Sequence, residues 1–326
     1  MNVTVLGAGA WGTALANLLC QNGHAVTLWG HNALHLAQLR EPRANPLYLP
    51  GIALSPQIQV QEQPAQAIQH AACLVIAVPS KFFREVTRLF SEFDGLAVSV
   101  TKGIEYETGL TMSRLLKTTM PKAAAAALSG PTLALEVARN IPTVAVAAHP
   151  QPETARQVQF LFGRPAFRVY TSQDVTGVEL GGAIKNVVAL AAGIGDGLGF
   201  GDNAKAGLIT RGLAEMRRLG VARGAQAETF SGLSGLGDLM LTCFSKQSRN
   251  RDLGERLGRG ETMAAIQASH PKLAEGYPTA RSAYRLAREK KVPTPIIDEV
   301  HAMLYEAKAP KQAVRDLISR AFKAED

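Results

Sequence analysis

Charged side chains are scarce in this chain of 326 residues, at 19%, and aromatic residues make up only 6%. Disordered chains carry more charge and fewer apolar residues than the 46% found here, so global disorder is excluded. Long apolar runs are also missing. The longest candidate, residues 71–79, is strand-sized, well short of the ~18 residues that span a bilayer. No basic segment precedes the first apolar stretch, so no secretory signal and no transmembrane segment are expected. Cys20, Cys73 and Cys243 lie far apart with no CxxC pair, which argues against a disulfide framework or a metal site and for a reducing, cytoplasmic location. The net charge is +8, yet there is no dense Lys/Arg tract and no basic stripe interleaved with aromatics. Nucleic acid is therefore the weaker reading, and small anionic ligands stay open.

What is present is 30 Gly, 17 Pro and enough length for two domains. Short β-rich runs at 3–6, 25–29, 73–78, 97–100, 124–128, 143–147 and 167–170 alternate with helical patterns, interrupted by a Pro-rich connection through Pro42, Pro46, Pro50 and Pro56. That alternation predicts βαβ units and a largely parallel, doubly wound α/β sheet. Near Asp174 the pattern changes to helices at about 175–193, 203–220, 247–258, 278–290, 295–307 and 310–322, with almost no strand signal. The expected organisation is a Rossmann-type sheet domain over residues 1–180 and an all-helical domain over 181–326.

Gly7-Ala8-Gly9-Ala10-Trp11-Gly12 matches G-x-G-x-x-G. The string alone is weak, but here a strand precedes it, a helix follows and a second strand closes the unit. Its glycines permit a tight turn, close approach of a pyrophosphate, and tight helix–strand packing. The helix start offers free N–H groups to phosphate. The second strand ends in Leu28-Trp29-Gly30-His31-Asn32, without the acid that an NAD-specific site places on the ribose hydroxyls. NADP is then tolerated as well as NAD. His31 either donates to a 2′-phosphate or is an ordinary surface histidine.

The helix at 178–189 carries one lysine. The neighbours of Lys185 one turn away are Gly181, Gly182, Val188 and Ala189, none a carboxylate. Such a lysine either snorkels to solvent or is desolvated into an acid/base range. The paired glycines, costly inside a helix, favour the second reading because they let something approach the backbone. Gly235-Leu236-Gly237-Asp238 reads as a turn that sets a carboxylate at a helix start. Ser248, Arg249 and Asn250 supply donors suited to phosphate, although an Arg-Asn-Arg run is more often solvated surface. Lys102 and the segment Ser129-Gly130-Pro131-Thr132 fall at the carboxyl ends of strands, where α/β sheets bind ligands, with Pro131 expected early in a helix.

Taken in order, GAGxWG, VPS at 78–80, TKG at 101–103, SGPT at 129–132, GGAIKN at 181–186, GLITRGLAEM at 207–216, GLGDLMLTC at 235–243, QSRNR at 247–251 and EGY at 275–277 resemble the bacterial NAD(P)-dependent glycerol-3-phosphate dehydrogenases. The resemblance covers nearly the whole chain. It implies a homodimer that interconverts dihydroxyacetone phosphate and sn-glycerol 3-phosphate with NADP or NAD, for glycerophospholipid synthesis. It implies Lys185 as the catalytic acid/base, with Lys102, Gly130, Thr132, Lys185, Asp238, Ser248, Arg249 and Asn250 around the substrate. Toward the cofactor it implies Gly7, Gly9, Ala10, Trp11, Gly12, His31, Lys102, Ala134, Arg249, Leu273 and Glu275. Ala10 lacks the hydroxyl that some relatives have, and Leu273 is larger than the usual Val. Two other readings compete: a 3-hydroxy acid or ketopantoate-type dehydrogenase, and a non-catalytic NAD(P)-binding redox sensor, which has no need of a lone lysine on a Gly-flanked helix.

Overall fold

The protein is represented by a computed structural model that describes residues 1–269, 274–321 and 324. The strands are β1 (Asn2–Leu6), β2 (Ala25–Trp29), β3 (Ala44–Asn45), β4 (Leu49–Ala53), β5 (Gln59–Gln61), β6 (Cys73–Ile76), β7 (Leu96–Ser99), β8 (Ala124–Ser129), β9 (Thr143–Ala148) and β10 (Phe167–Ser172). Eight of them form one sheet in the order β10-β9-β8-β7-β6-β1-β2-β5, parallel throughout except where β9 runs against β8. Strands β6 and β7 are buried along their whole length. Alternate residues serve opposite faces: Cys73 and Val75 join one apolar cluster, Leu74 and Ile76 another. A sheet covered on both faces in this way is what continuous apolar runs produce. The chain leaves β1 toward β2 on one side and returns to β6 on the other. The crevice beyond the carboxyl ends of β1 and β6 is therefore the expected ligand position.

The expected strands all form. The Pro-rich connection holds more than a loop: the helix Ala33–Arg40, the antiparallel pair β3 and β4, and the edge strand β5. Strand β5 is Gln-Val-Gln, three residues with one apolar side chain, too short and polar to show an alternation. The segment after residue 226 also differs from a plain turn. It makes the helical turns Ala227–Ser231 and Leu233–Gly237 and then the helix Asp238–Phe244.

The second half is built around the helix Val175–Gly197, started by the Asp174 carboxylate, which accepts from Gly177 N–H at 2.8 Å, Gln226 N–H at 2.9 Å and Thr229 Oγ1 at 2.7 Å. The expected division near residue 180 falls within its second turn. By length and composition this helix is apolar enough to cross a membrane, unlike anything expected from the sequence, but it is enclosed by the rest of the protein. The helix Arg249–Gly258 crosses it through glycines on both sides. A methyl group on Gly193 would overlap the Arg251 carbonyl, and one on Gly254 would overlap that of Leu190. Backbone-to-backbone packing this close tolerates no side chain.

Gly193→Ala is expected to force these helices apart, lowering stability by ~1–3 kcal/mol in a denaturant titration. A second outcome concerns Glu215, whose carboxylate accepts from Ile296 N–H at 2.8 Å and Ile297 N–H at 3.2 Å at the start of the helix Pro295–Tyr305. Burial pushes this carboxyl up from 4.5 to about 7 despite those two donors. The folded state thus holds a proton that the unfolded state releases, so stability is lost as pH rises from about 4.5 through about 7. Glu215→Gln should flatten that slope in a Tm-against-pH series, and an unchanged slope would contradict the assignment.

Candidate active site

The carboxyl end of β1 runs into the glycine-rich turn and the helix Ala10–Gln21. Gly7 sits at φ +110°, and a Cβ there would lie 2.7 Å from the Ala77 carbonyl oxygen beyond β6. A Cβ on Gly12 would overlap the Gly7 carbonyl, whereas one on Gly9 meets nothing within 4 Å. Two glycines thus close the turn against the sheet, and the third leaves its backbone open. No side chain caps the helix N-terminus, so its first N–H groups stay available to an anion. Ala10 opens this helix and Trp11 is half-buried against the sheet core. These features fit a dinucleotide pyrophosphate. His31 lies exposed on the loop after β2. Ala134 is the first residue of the helix Ala134–Ala138. Leu273 lies outside the described residues.

From the helical side, Glu275 reaches the end of β6, accepting from Ser80 N–H at 3.0 Å and Ser80 Oγ at 2.6 Å. Burial raises its carboxyl, opposed by the two Ser80 hydrogen bonds and by the Arg249 guanidinium. Gly103 lies beside this contact, where a Cβ would overlap Ser80.

The chemistry-bearing groups converge on Asp238, which is 1% exposed at the start of the helix Asp238–Phe244. Lys102, just past β7, donates from Nζ to Asp238 Oδ2 at 2.6 Å, to the Gly130 carbonyl at 2.8 Å and to Thr132 Oγ1 at 3.3 Å. Lys185 Nζ stands 3.0 Å from Asp238 Oδ1 and donates to Thr242 Oγ1 at 2.6 Å. Thr242 Oγ1 in turn donates a hydrogen bond to the Asp238 carbonyl one helical turn earlier, at 2.6 Å. Lys185 is therefore buried, as the glycines before it imply, but not isolated: its carboxylate comes from another helix. Burial is the main force lowering the Lys185 pKa to about 8, Asp238 opposes it, and Lys102 adds to it. Gly182 explains the access, since a Cβ there would overlap Ser129 Oγ and lie 3.5 Å from Lys102 Cγ.

Gly130 adopts φ +137° with the Ala145 backbone 3.0 Å from where its Cβ would be. Pro131 is not within a helix as expected. Leu133 occupies the cap position, so residues 130–132 form an open connection that keeps Thr132 beside Lys102. Ser248 is buried and caps the helix Arg249–Gly258 by accepting from Arg251 N–H at 3.2 Å. Asn250 donates to Asn186 Oδ1 at 2.9 Å and accepts from Gly276 N–H at 2.8 Å, which pins the helix start beside the residue following Lys185. Arg249 is exposed, and Arg251 is instead held by Asp196 at 2.7 Å and Glu255 at 3.2 Å. The lysine pair, Asp238, Gly130 and Thr132 are thus assembled at one point. Sequence reasoning gave no role to Thr242, Ser80 or Asn186, although each falls in a motif quoted above and Thr242 also stands at i+4 from Asp238.

The model for the N-terminal part of NAD-dependent glycerol-3-phosphate dehydrogenase matches residues 2–155, and that for the C-terminal part matches residues 174–315. The chain is 48% identical to a glycerol-3-phosphate dehydrogenase [NAD(P)+] of Syntrophotalea carbinolica over 100% of this chain and 99% of that protein. It is 47% identical to one of Citrifermentans bemidjiense over 99% and 98%. The crystal structure of a glycerol-3-phosphate dehydrogenase from Coxiella burnetii superposes with a TM-score of 0.94 at 36% identity, covering 98% of this chain and 99% of that one. A ketopantoate reductase from Ralstonia eutropha shares the fold alone, with a TM-score of 0.62 at 18% identity.

Asp238→Asn removes the group that holds the Lys185 proton in place, so the Lys185 pKa should fall below about 8 in an NMR titration of its side chain. The same variant leaves the buried Lys185 and the partly buried Lys102 without a counter-charge and should cost on the order of 3 kcal/mol. An unmoved lysine titration would contradict the shared-carboxylate geometry.

Proposed function

The chain belongs to the NAD-dependent glycerol-3-phosphate dehydrogenase family, and on that premise we propose how its residues divide the work. The protein is an NAD(P)-dependent oxidoreductase that interconverts dihydroxyacetone phosphate and glycerol 3-phosphate. Residues 1–180 hold the dinucleotide, and residues 181–326 supply the proton-transfer group and most of the substrate contacts. The reading rests chiefly on one observation: Lys185, buried and lowered to about 8, shares Asp238 with Lys102.

The dinucleotide is held by Gly7, Gly9, Ala10, Trp11, Gly12, His31, Lys102, Ala134, Arg249 and Glu275, with Leu273 as a further expected contact. When bound, the nicotinamide supplies or accepts the hydride at the substrate carbon. Everything else falls to the chain. In the reducing direction the Lys185 ammonium donates its proton to the oxygen that becomes the hydroxyl, and in the oxidising direction the neutral amine removes it. Lys102 keeps a positive charge beside that oxygen, which stabilises the negative charge as it develops. Two ammonium groups against one carboxylate leave the cluster net cationic, which suits a dianionic substrate. Gly130 and Thr132 fix the substrate on the Lys102 side. Arg249, with Ser248 and Asn250 beneath it, takes the phosphate, whose remote binding energy holds the reacting carbon in place.

The absence of an acid after β2 supports use of both NADP and NAD. Three buried free cysteines are compatible with a cytoplasmic setting. The proposed biological unit is a homodimer that supplies sn-glycerol 3-phosphate to glycerophospholipid synthesis.

Because reduction needs the ammonium and oxidation needs the amine, kcat for dihydroxyacetone phosphate reduction should fall above a pH of about 8, while kcat for glycerol 3-phosphate oxidation should rise through it. Lys185→Ala is expected to slow turnover by ~10²–10⁴-fold and to abolish both inflections. NADPH affinity should be retained within about threefold. Equal turnover in variant and parent, or NADPH oxidation with ketopantoate but not with dihydroxyacetone phosphate, would defeat this assignment.

A further inference from the structure

The glycine-rich turn is braced from behind by a side chain that belongs to none of the motifs above. Asn45, fully buried in β3, donates from Nδ2 to the Ala8 carbonyl at 2.9 Å and to Thr13 Oγ1 at 2.8 Å. Its Oδ1 accepts from Tyr48 N–H at 3.2 Å and lies 3.1 Å from His35 Nε2. A primary amide has two donor hydrogens and one acceptor oxygen, so both donors of this side chain are used and its oxygen is engaged by Tyr48 N–H.

The peptide joining Ala8 to Gly9 is planar and trans, so its C=O and its N–H point in opposite directions. Fixing the Ala8 oxygen toward Asn45 therefore turns the Gly9 N–H away from Asn45. The second donor secures Thr13, whose own N–H bonds the Gly9 carbonyl at 2.9 Å, so both sides of Gly9 are held through one amide. We propose that Asn45 is a positioning residue for the cofactor: it sets the Ala8–Gly9 peptide so that the Gly9 N–H and the open face of Gly9 are presented to the pyrophosphate of NAD(P)H. Carried on the β3–β4 pair rather than on the βαβ unit, it couples that insertion to cofactor affinity. The inference rests on the reading of residues 7–12 as the dinucleotide site.

Asn45→Asp keeps the size of the side chain but faces the Ala8 oxygen with an oxygen in place of the amide donor. NADPH Kd from a fluorescence titration of the full-length protein should rise at least about 10-fold. At saturating NADPH, kcat and the KM for dihydroxyacetone phosphate should stay within about threefold of the parent. Leu304→Ala, which opens a cavity in the distant helical core, is the comparison: it should lower Tm yet leave NADPH Kd unchanged. Should Asn45→Asp give no folded protein, Asn45→Ala carries the same test, with Kd rising about threefold or more. An unchanged Kd, a rise matched by Leu304→Ala, or a kcat that falls in step with affinity overturns the proposal. Failure of the parent protein to bind NADPH would instead overturn the reading of residues 7–12.

Discussion

The site depends on one buried carboxylate that two ammonium groups share. Asp238 offers Oδ2 to Lys102 and Oδ1 to Lys185, and is itself almost inaccessible to water. Without it, the Lys102 charge and burial would act unopposed to loosen the Lys185 proton. With it, Lys185 keeps a proton that burial has loosened, which is the condition for both giving and taking one near neutrality. The arrangement costs desolvation of three charged groups, and that cost is offset by short hydrogen bonds to Gly130 and Thr242, by a longer one to Thr132 and by the ion pairs.

What brings the three groups together is the shape of the helix Val175–Gly197. Its glycines remove side-chain volume on several faces, so the segment around Ser234, the Ser129 hydroxyl and the helix Arg249–Gly258 all approach its backbone. Close packing of this kind is unyielding, and it places Lys185 and the start of the Arg249 helix with little freedom. Buried carboxylates then tie the helical part to the sheet. Glu179 accepts from Ser113 N–H at 2.7 Å and Ser113 Oγ at 2.6 Å, Glu275 holds Ser80, and Asp238 holds Lys102. Each of these contacts joins a residue before 175 to one after it. Breaking any of them would leave a buried carboxylate uncompensated, which is the costly case for such groups.

Much of this was legible in the sequence because it is local. The turn at residues 7–12 follows from its glycines between a strand and a helix. The parallel sheet follows from continuous apolar runs such as 73–76, and the burial of Lys185 follows from its glycines and apolar neighbours. Strand β5 is too short and polar to show a period, and the turns at 227–237 are glycine-rich, so both take their conformation from their surroundings. Pro131 was misjudged for a related reason, since the residues around it are shaped by Lys102 and by the backbone of β9.

By itself the sequence determined the class of fold, the glycine-rich turn between the first strand and its helix, the family, and which lysine is proposed as the acid/base. Each of these is written in periodicity, in glycine spacing or in motifs read along the chain. Only the tertiary structure decided which carboxylate meets Lys185, that Lys102 shares it, that Thr242 bonds Lys185 and Ser80 bonds Glu275, and that Asn45 braces the glycine-rich turn. These are pairings between residues up to 195 positions apart. Electrostatic and hydrogen-bond energies depend on distance in space, and no pattern along a single chain reports that distance.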